Sequence, residues 1–428
     1  MRFDANPNYY DAKNVFVQHV VVTYSDGKDP AQQFNMFVNG EVTSTTVNQS
    51  LPEVVAKAAE LYPDNQYKSM TTATSYWGAF NWDRQMYALY NDPSVSTTNK
   101  TDAQKADTKA AILNADFRRA VYAAYSAHAV EAITLGEEHA DGVIRNTLIP
   151  YTFQTTSDGR AYGSIVEKYA AELVADYEGI DLNDGHDAWY NPELAKTFAE
   201  RAKEELGDSV SEWPIHIDVP VYAASENQKN MQLAMKKSVE DAIGDYVVID
   251  LQFLEGNSSV YYSSFYNQPT GEDNSIDLVF GAGWGPDYGD PLTYLHCFDV
   301  HDGDMLNYSG INIESQGQSE EQKAVLETLG LNEVQEIVDQ ATTATGDERI
   351  ELFAKAEAML LTNGILRPYS TSGANITISK VKPFTVAYGL YGQAAYNQVP
   401  YFKYMQLLDE PVTAAEYEAA KEAWMAGK

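Results

Sequence analysis

Residues 276–291 read Ile276-Asp277-Leu278-Val279-Phe280-Gly281-Ala282-Gly283-Trp284-Gly285-Pro286-Asp287-Tyr288-Gly289-Asp290-Pro291. The first five residues are mostly apolar and β-favouring, and glycine and proline punctuate the other eleven, so the stretch reads as a strand running into a loop. In open α/β sheets, ligands bind in the crevice outside the carboxyl ends of strands. A glycine-rich loop at that place lets a ligand come close to the backbone. The loop also carries a large aromatic and two carboxylates. Asp287 or Asp290 is a candidate cap for a cationic ligand group, a charge-assisted hydrogen bond of about 1.5–3 kcal/mol. The competing reading is a structural Asx-type turn ahead of Pro291. The loop is not a dinucleotide fingerprint, because Pro286 stands where the third glycine belongs and no helix clearly begins there.

On the N-terminal side of this stretch, helix and strand patterns alternate. Asn191-Pro192-Glu193 is a helix start with proline at the first helical position, and Leu194, Phe198, Ala202 and Leu206 recur on one face. Ile215, Ile217, Val219 and Val221 have the strand period, with Pro220 placing that strand's end at an edge. Met231, Met235, Val239 and Ile243 mark a second helix, and residues 246–251 a second strand. The order helix, strand, helix, strand, insertion, strand predicts an α/β architecture with a largely parallel sheet covered by helices. Helical patterns continue over residues 319–342 and 347–362, the latter with Asp347 as its cap and Gly364 as its stop. Residues 365–388 are β-rich, and an amphipathic helix begins after Thr413. Further upstream, residues 101–134 carry one long helical pattern capped at Thr101 or Asp102, and residues 52–62 a short helix. Residues 1–50 read as turns and short strands: Val15 to Val22 is a strand closed by Ser25-Asp26-Gly27, and Gly40 turns the chain into a strand at Glu41-Val42.

The length of 428 residues suits two or three domains. Lys and Arg number 29 against 62 Asp and Glu, a formal charge of −33. That balance argues against binding nucleic-acid phosphates or anionic lipid head groups. With 44% hydrophobic residues and 30 Tyr there is enough apolar surface for real cores. The single cysteine, Cys297, excludes an intramolecular disulfide and any multi-cysteine metal site. No stretch is long and apolar enough for a transmembrane helix, and the first residues lack the apolar region of a signal peptide.

His296-Cys297-Phe298-Asp299-Val300-His301-Asp302-Gly303-Asp304 and Asp181-Leu182-Asn183-Asp184-Gly185-His186-Asp187 look metal-like, but neither has the spacing of a zincin helix or an EF-hand loop. Both read as polar surface loops, and no metal is expected. Trp77-Gly78-Ala79-Phe80-Asn81-Trp82 is an aromatic cluster, either core or ligand surface. No nucleophile elbow, H-E-x-x-H or P-loop is present. A hydrolase using two of the acidic residues is an alternative that their abundance leaves without a named pair.

Residues 283–295, Gly283-Trp284-Gly285-Pro286-Asp287-Tyr288-Gly289-Asp290-Pro291-Leu292-Thr293-Tyr294-Leu295, closely resemble the GW-x-x-DY-x-x-P loop of the oligopeptide-binding proteins, extracellular solute-binding proteins of family 5 that serve peptide ABC importers. Other segments agree in order. Residues 2–15 (RFDANPNYYDAKNV) resemble the family's NP-x-YWDAKNV segment, and residues 37–42 (FVNGEV) its F-x-x-GE-x-D strand. Residues 117–124 (FRRAVYAA) resemble its VR-x-A-x-x-x-A-x-D helix. Leu148-Ile149-Pro150 resembles the family's next proline loop, and Leu366-Arg367-Pro368-Tyr369 the strand that returns to the first lobe. The resemblance covers essentially the whole chain. In the family, the NP-x-YWDAKNV segment lies well inside the protein, so the resemblance implies an N-terminally truncated member, without its signal peptide and lipid anchor and with an incomplete first lobe.

The resemblance further implies a two-lobed class II periplasmic-binding-protein-like α/β fold. Residues 85–366 would form the second lobe, and residues 1–84 with 367–428 the first. A short peptide would lie extended between the lobes, paired with backbone near Gly283 and Gly285. Asp287 would take its α-ammonium, Trp284 and Tyr369 would wall its side chains with Tyr288 in the same binding loop, and Tyr76, Trp77 and Asn81 would face it from the first lobe. The expected partners are short peptides and ABC transporter permease subunits, with no nucleic acid, for an extracytoplasmic, monomeric, non-enzymatic protein without a cofactor. Nickel, heme or an oligosaccharide in the same fold is the alternative, nickel requiring His296 with His301.

Overall fold

The computed structural model describes residues 1–25, 29–385 and 402–427. Most of its helices begin where a side chain accepts one of the backbone N–H groups that a helix start leaves unpaired. Thr101 and Gln104 form a capping box on Asp102–Leu113, and Asn191, Ser225 and Thr413 cap Pro192–Leu206, Glu226–Ile243 and Ala414–Ala426. The single helical pattern expected over residues 101–134 is instead three helices. Asn114 and Ser126 are extended and cap Ala115–Ala124 and Ala127–Leu135, so each restarts the helix in a new direction. The pattern at 319–342 likewise splits into Glu320–Thr328 and Leu331–Thr343 at Gly330, whose φ of 76° a side chain would resist. Asp347 is not the cap expected of it. It lies in the first turn of Gly346–Thr362, and its carboxylate accepts the Ser157 N–H at 2.8 Å.

Ile215–Tyr222 and Val247–Leu254 pair in parallel, in register from Ile215↔Val247 to Tyr222↔Leu254. Helix Glu226–Ile243 connects them and packs on both. The largely parallel sheet expected from the alternation ends there. The third strand, Leu278–Trp284, pairs antiparallel with Ser75–Phe80, from Leu278↔Phe80 to Trp284↔Ser75. Ser75–Phe80 pairs on its other side with Leu366–Ser370. The switch happens at Asp277, which still reaches the parallel pair: its N–H donates to the Asp218 carbonyl at 3.1 Å, and its carboxylate accepts the Asp218 N–H at 2.7 Å. Beyond it the chain pairs with the nearly buried Ser75–Phe80. Gly78 makes that pairing possible, because a Cβ there would lie 2.5 Å from the Phe280 ring. The glycine-rich segment is therefore still strand through Trp284, past a bulge between Phe280 and Ala282, and the loop begins only at Gly285.

Four buried charges pin this junction. Arg84 Nη1 lies 2.7 Å from Asp218 and 2.9 Å from Asp277, and Lys100 Nζ bonds Asp277 and lies 3.2 Å from Asp218. Burial pushes the Asp277 carboxyl up, but Arg84 and Lys100 outweigh it and hold the group below its ordinary range.

The main core runs from Trp77 through Tyr369, and a smaller one gathers Phe34, Phe37, Val54, Ala58 and Ile378. Phe34 and Phe37 face that core from a helix, Gln32–Val38, and the strand expected at Glu41-Val42 forms instead at Ser44–Thr46. Only His19–Val21 of the run Val15 to Val22 is strand, paired with Arg2–Asp4. The expected β-rich stretch holds Leu366–Ser370 and Ile376–Ser379. Its end at 386–388 and the Asp26-Gly27 turn lie outside the described residues. Among the described residues no helix is long and apolar enough to cross a membrane.

Candidate functional site: an aromatic cleft along an edge strand

Among the described residues, Leu278–Trp284 is an edge strand of its sheet. Two cavities open along it, of about 580 and 190 Å³, and Gly281, Tyr76, Tyr262 and Phe265 line both. Two local elements bring aromatic rings to the larger one. The helix Ser258–Tyr262, capped by Asn257, and the turn after it supply Tyr262, Phe265 and Tyr266. The short helix Asp304–Tyr308 supplies Met305 and Tyr308. Phe265 and Tyr308 meet edge to face at 5.4 Å. In the smaller cavity Tyr125 stacks on Phe280 at 3.8 Å, with Tyr369 edge-on to both. Gly283 is held to glycine by Tyr76, whose ring a Cβ would meet at 2.4 Å.

Five buried oxygens on residues lining the two cavities have no hydrogen-bond partner among the described residues: Tyr125 Oη, Gln232 Oε1, Gln268 Oε1, Asn307 Oδ1 and Tyr308 Oη. Burial pushes the hydroxyls of Tyr125 and Tyr308 well above the ordinary tyrosine range. Among the described residues Asp304 is the one ionisable carboxylate on the larger cavity's wall, and it is exposed.

Gly283, Trp284 and Tyr76 line the larger cavity, and Tyr76 and Tyr369 the smaller. Gly285 is buried just past the strand end, while Asp287 and Tyr288 are exposed in the loop beyond it. The Asp287 N–H donates to Thr293 Oγ1 at 2.8 Å, and no hydrogen bond or ion pair engages its carboxylate among the described residues. Asp290 is engaged: Arg349 holds it through two contacts of 3.0 Å, and it accepts the Leu292 N–H, which is the turn reading of this position. Trp77 and Asn81 line neither cavity. Trp77 comes right after Tyr76 on the strand, so it points to the opposite face, where it is fully buried near Phe298. Asn81 donates to the Asn274 carbonyl and accepts the Asp83 N–H.

His296 and His301 do not pair. His301 Nδ1 bonds Glu314 at 2.8 Å. The ligand atoms that gather are those of His296, Cys297 and Asp304, all within 4.8 Å of one another, a set that could hold a metal ion. His296 Nδ1 bonds the Leu292 carbonyl, leaving Nε2 for that cluster.

Sequence reasoning missed Tyr262, Phe265, Tyr266, Gln268, Asp304 and Tyr308. A signal was there for the first four: Tyr261-Tyr262-Ser263-Ser264-Phe265-Tyr266-Asn267-Gln268 places four aromatics in six residues, inside a stretch that read only as an insertion.

Residues 1–304 match the family described as bacterial extracellular solute-binding proteins, family 5 Middle. The chain is 34% identical to the oligopeptide-binding protein AliB of Streptococcus pneumoniae, over 100% of this chain and 63% of that protein. It is 31% identical to the oligopeptide-binding protein SarA of Streptococcus gordonii, over 99% and 62%. The chain thus spans less than two thirds of the length of these relatives. Among solved structures, Listeria monocytogenes OppA bound to peptide superposes with a TM-score of 0.61 at 15% identity, over 95% of this chain and 61% of that one. The substrate-binding domain of an oligopeptide ABC transporter from Bacillus anthracis gives 0.60 at 18%, over 95% and 62%. At these identities the likeness establishes the fold, the two-lobed α/β arrangement of periplasmic binding proteins.

Proposed function

The chain belongs to the bacterial extracellular solute-binding proteins of family 5, and from that premise we propose that it captures short peptides between two lobes and delivers them to the permease subunits of an ABC importer outside the cytoplasm. The observation that carries this reading is the edge strand Leu278–Trp284 running along an aromatic cleft of about 580 Å³. An extended peptide can add to such an edge as a further strand. Main-chain hydrogen bonds then supply affinity, and the flanking pockets sort alternate side chains.

In this reading the backbone near Gly283 and Gly285 pairs with the peptide. Tyr76, Trp284 and Tyr369 wall its side chains, Asp287 takes the α-ammonium, and Tyr288 stands beside it. Trp77 and Asn81 hold the strand in place from the interior. Residues 85–366 act as one lobe, and residues 1–84 with 367–428 as the other. Ser75–Phe80 and Leu366–Ser370, paired side by side near the two changes of lobe, supply the connection about which the lobes close. The protein works as a monomer and binds without turnover. The relatives' names favour peptides over nickel, heme or sugars, and over a hydrolase.

Thermal unfolding with a mixed pool of short peptides, free or N-acetylated, tests the reading. A ligand of the native state raises the midpoint by mass action. Free peptides are expected to raise it, acetylated ones to raise it less, and Asp287→Asn to remove the difference. A cooperative transition that neither pool moves ends the peptide reading for this chain.

A further inference from the structure

Resting on the peptide reading, we propose that the larger cavity is a specificity pocket for a basic side chain of the bound peptide, arginine above all. Its walls are rings, Tyr262, Phe265, Tyr266, Tyr308 and Trp284 among them. Ring faces attract cations, guanidinium most often. Among the described residues no lysine or arginine lines the cavity, and Asp304 places one carboxylate on its wall. No hydrogen bond or ion pair engages that carboxylate among the described residues.

The polar atoms around the rings ask for donors. Gln268 Oε1, Asn307 Oδ1 and Tyr308 Oη are buried and unpartnered. The Gln268 amide cannot simply turn around, because its Nε2 donates to the carbonyls of Phe265 at 2.9 Å and Asn307 at 3.0 Å. Its oxygen is the end left without a donor. A guanidinium carries five N–H donors and no acceptor, in a planar fork that also stacks on rings. It therefore complements a wall of rings, acceptor oxygens and one carboxylate. An aliphatic side chain leaves the acceptors unpaired, and a carboxylate meets Asp304 and two amide oxygens, with the Tyr308 hydroxyl to donate to it. The smaller cavity also has unpartnered oxygens, on Tyr125 and Gln232, but no carboxylate among the described residues, so it suits a neutral side chain.

The test is titration calorimetry on the full chain, in a buffer with a chelator so that metal held by His296, Cys297 and Asp304 does not contribute. The ligands are four pools of N-acetylated hexapeptides of alanine and tyrosine, each carrying arginine, citrulline, norleucine or glutamate at every position in turn. The arginine pool is expected to bind about tenfold tighter than the citrulline pool, the advantage of a charge-assisted bond, and the glutamate pool to bind weakest. Asp304→Asn, at an exposed position, is expected to cut that preference below about threefold by weakening the arginine pool more than the citrulline pool. Tyr266→Ala, exposed as well, should weaken the arginine pool more than the norleucine pool. Equal binding of the four pools, or a preference that survives Asp304→Asn, overturns the pocket and leaves the peptide reading standing. A preference seen only with free amino termini assigns the recognition to the terminus and also overturns it. If no pool binds, acetylated or free, both readings fall.

Discussion

Around Asp277 two cations and two carboxylates are buried, each within 3.2 Å of both opposite partners. A few residues further along, beside Gly281–Trp284, buried oxygens of Gln268, Asn307 and Tyr308 have no hydrogen-bond partner among the described residues. The two regions share a strand, a low dielectric and a high density of polar atoms, and differ in whether the protein supplies the partners itself. At Asp277 it does, and the cluster fixes where the parallel pair hands over to the antiparallel sheet. In the cleft it does not, and in the proposed reading a bound peptide supplies them. A buried polar group that the fold satisfies belongs to the architecture, and in the proposed reading those left open on the cleft wall are completed by the peptide.

The largest effect comes from breaking the satisfied side. Asp277→Asn removes one of two negative charges facing Arg84 and Lys100 and leaves a buried positive charge uncompensated. Loss of one partner from a buried ion cluster costs about 3–5 kcal/mol, and chemical denaturation should show a loss of that size. Whatever fraction remains folded should bind peptides with unchanged affinity. A loss below about 1 kcal/mol, the worth of a surface pair, would mean that the cluster does not hold the junction.

Glu357 sharpens the comparison, because its hydrogen bonds are satisfied and its charge is not. Its carboxyl bonds the N–H groups of Leu148 and Ile149 and the Tyr162 hydroxyl, yet burial pushes it up to about 8 from an ordinary 4.5. A carboxyl whose folded pKa is raised prefers its proton in the folded state. Its contribution to stability is whole below about pH 4.5 and is lost as the pH rises through about 8. Glu357→Gln, which mimics the protonated form, should equal the parent near pH 4 and exceed it by roughly 1–3 kcal/mol at pH 9. Urea midpoints across that range check the sign, and parallel curves for the two proteins would place the proton elsewhere.

What was legible in the sequence was local. The caps at Thr101 and Asn191 and the alternation of Ile215 to Val221 act within a few residues of themselves, and each appears where the pattern put it. The partner of the edge strand was not legible. It lies some two hundred residues upstream, and neither strand's pattern says whether it will pair in parallel or antiparallel. The cleft was half legible for the same reason. Trp284 and Tyr369 stood in recognisable segments, whereas Tyr308 and Asp304 became cleft residues only when a short helix folded against the edge strand. The resemblance set Trp77 and Asn81 beside Tyr76 at the cleft, but the pleat turns Trp77 to the other face of the strand, and Asn81 lies just past the strand's end.

The smallest effect is also the most discriminating, because its sign alone decides. The Tyr308 hydroxyl is buried without a partner beside Gly281, 3.9 Å from where a Cβ on that glycine would stand. The Tyr162 hydroxyl is buried too, but it donates to Glu357 at 2.9 Å. Removing an unpaired hydroxyl relieves a desolvation cost, whereas removing a paired one strands its acceptor, and each change is worth about 1 kcal/mol. Tyr308→Phe should therefore raise the stability of the free protein and weaken peptide binding by about threefold to tenfold, the worth of one hydrogen bond. Tyr162→Phe should lower stability and leave binding alone. The two variants remove the same atom from the same kind of residue, so side-chain volume and entropy nearly cancel between them. If both lose stability, the Tyr308 oxygen already has what it needs inside the fold, and the cleft's open hydrogen-bonding positions lose their claim to describe a ligand.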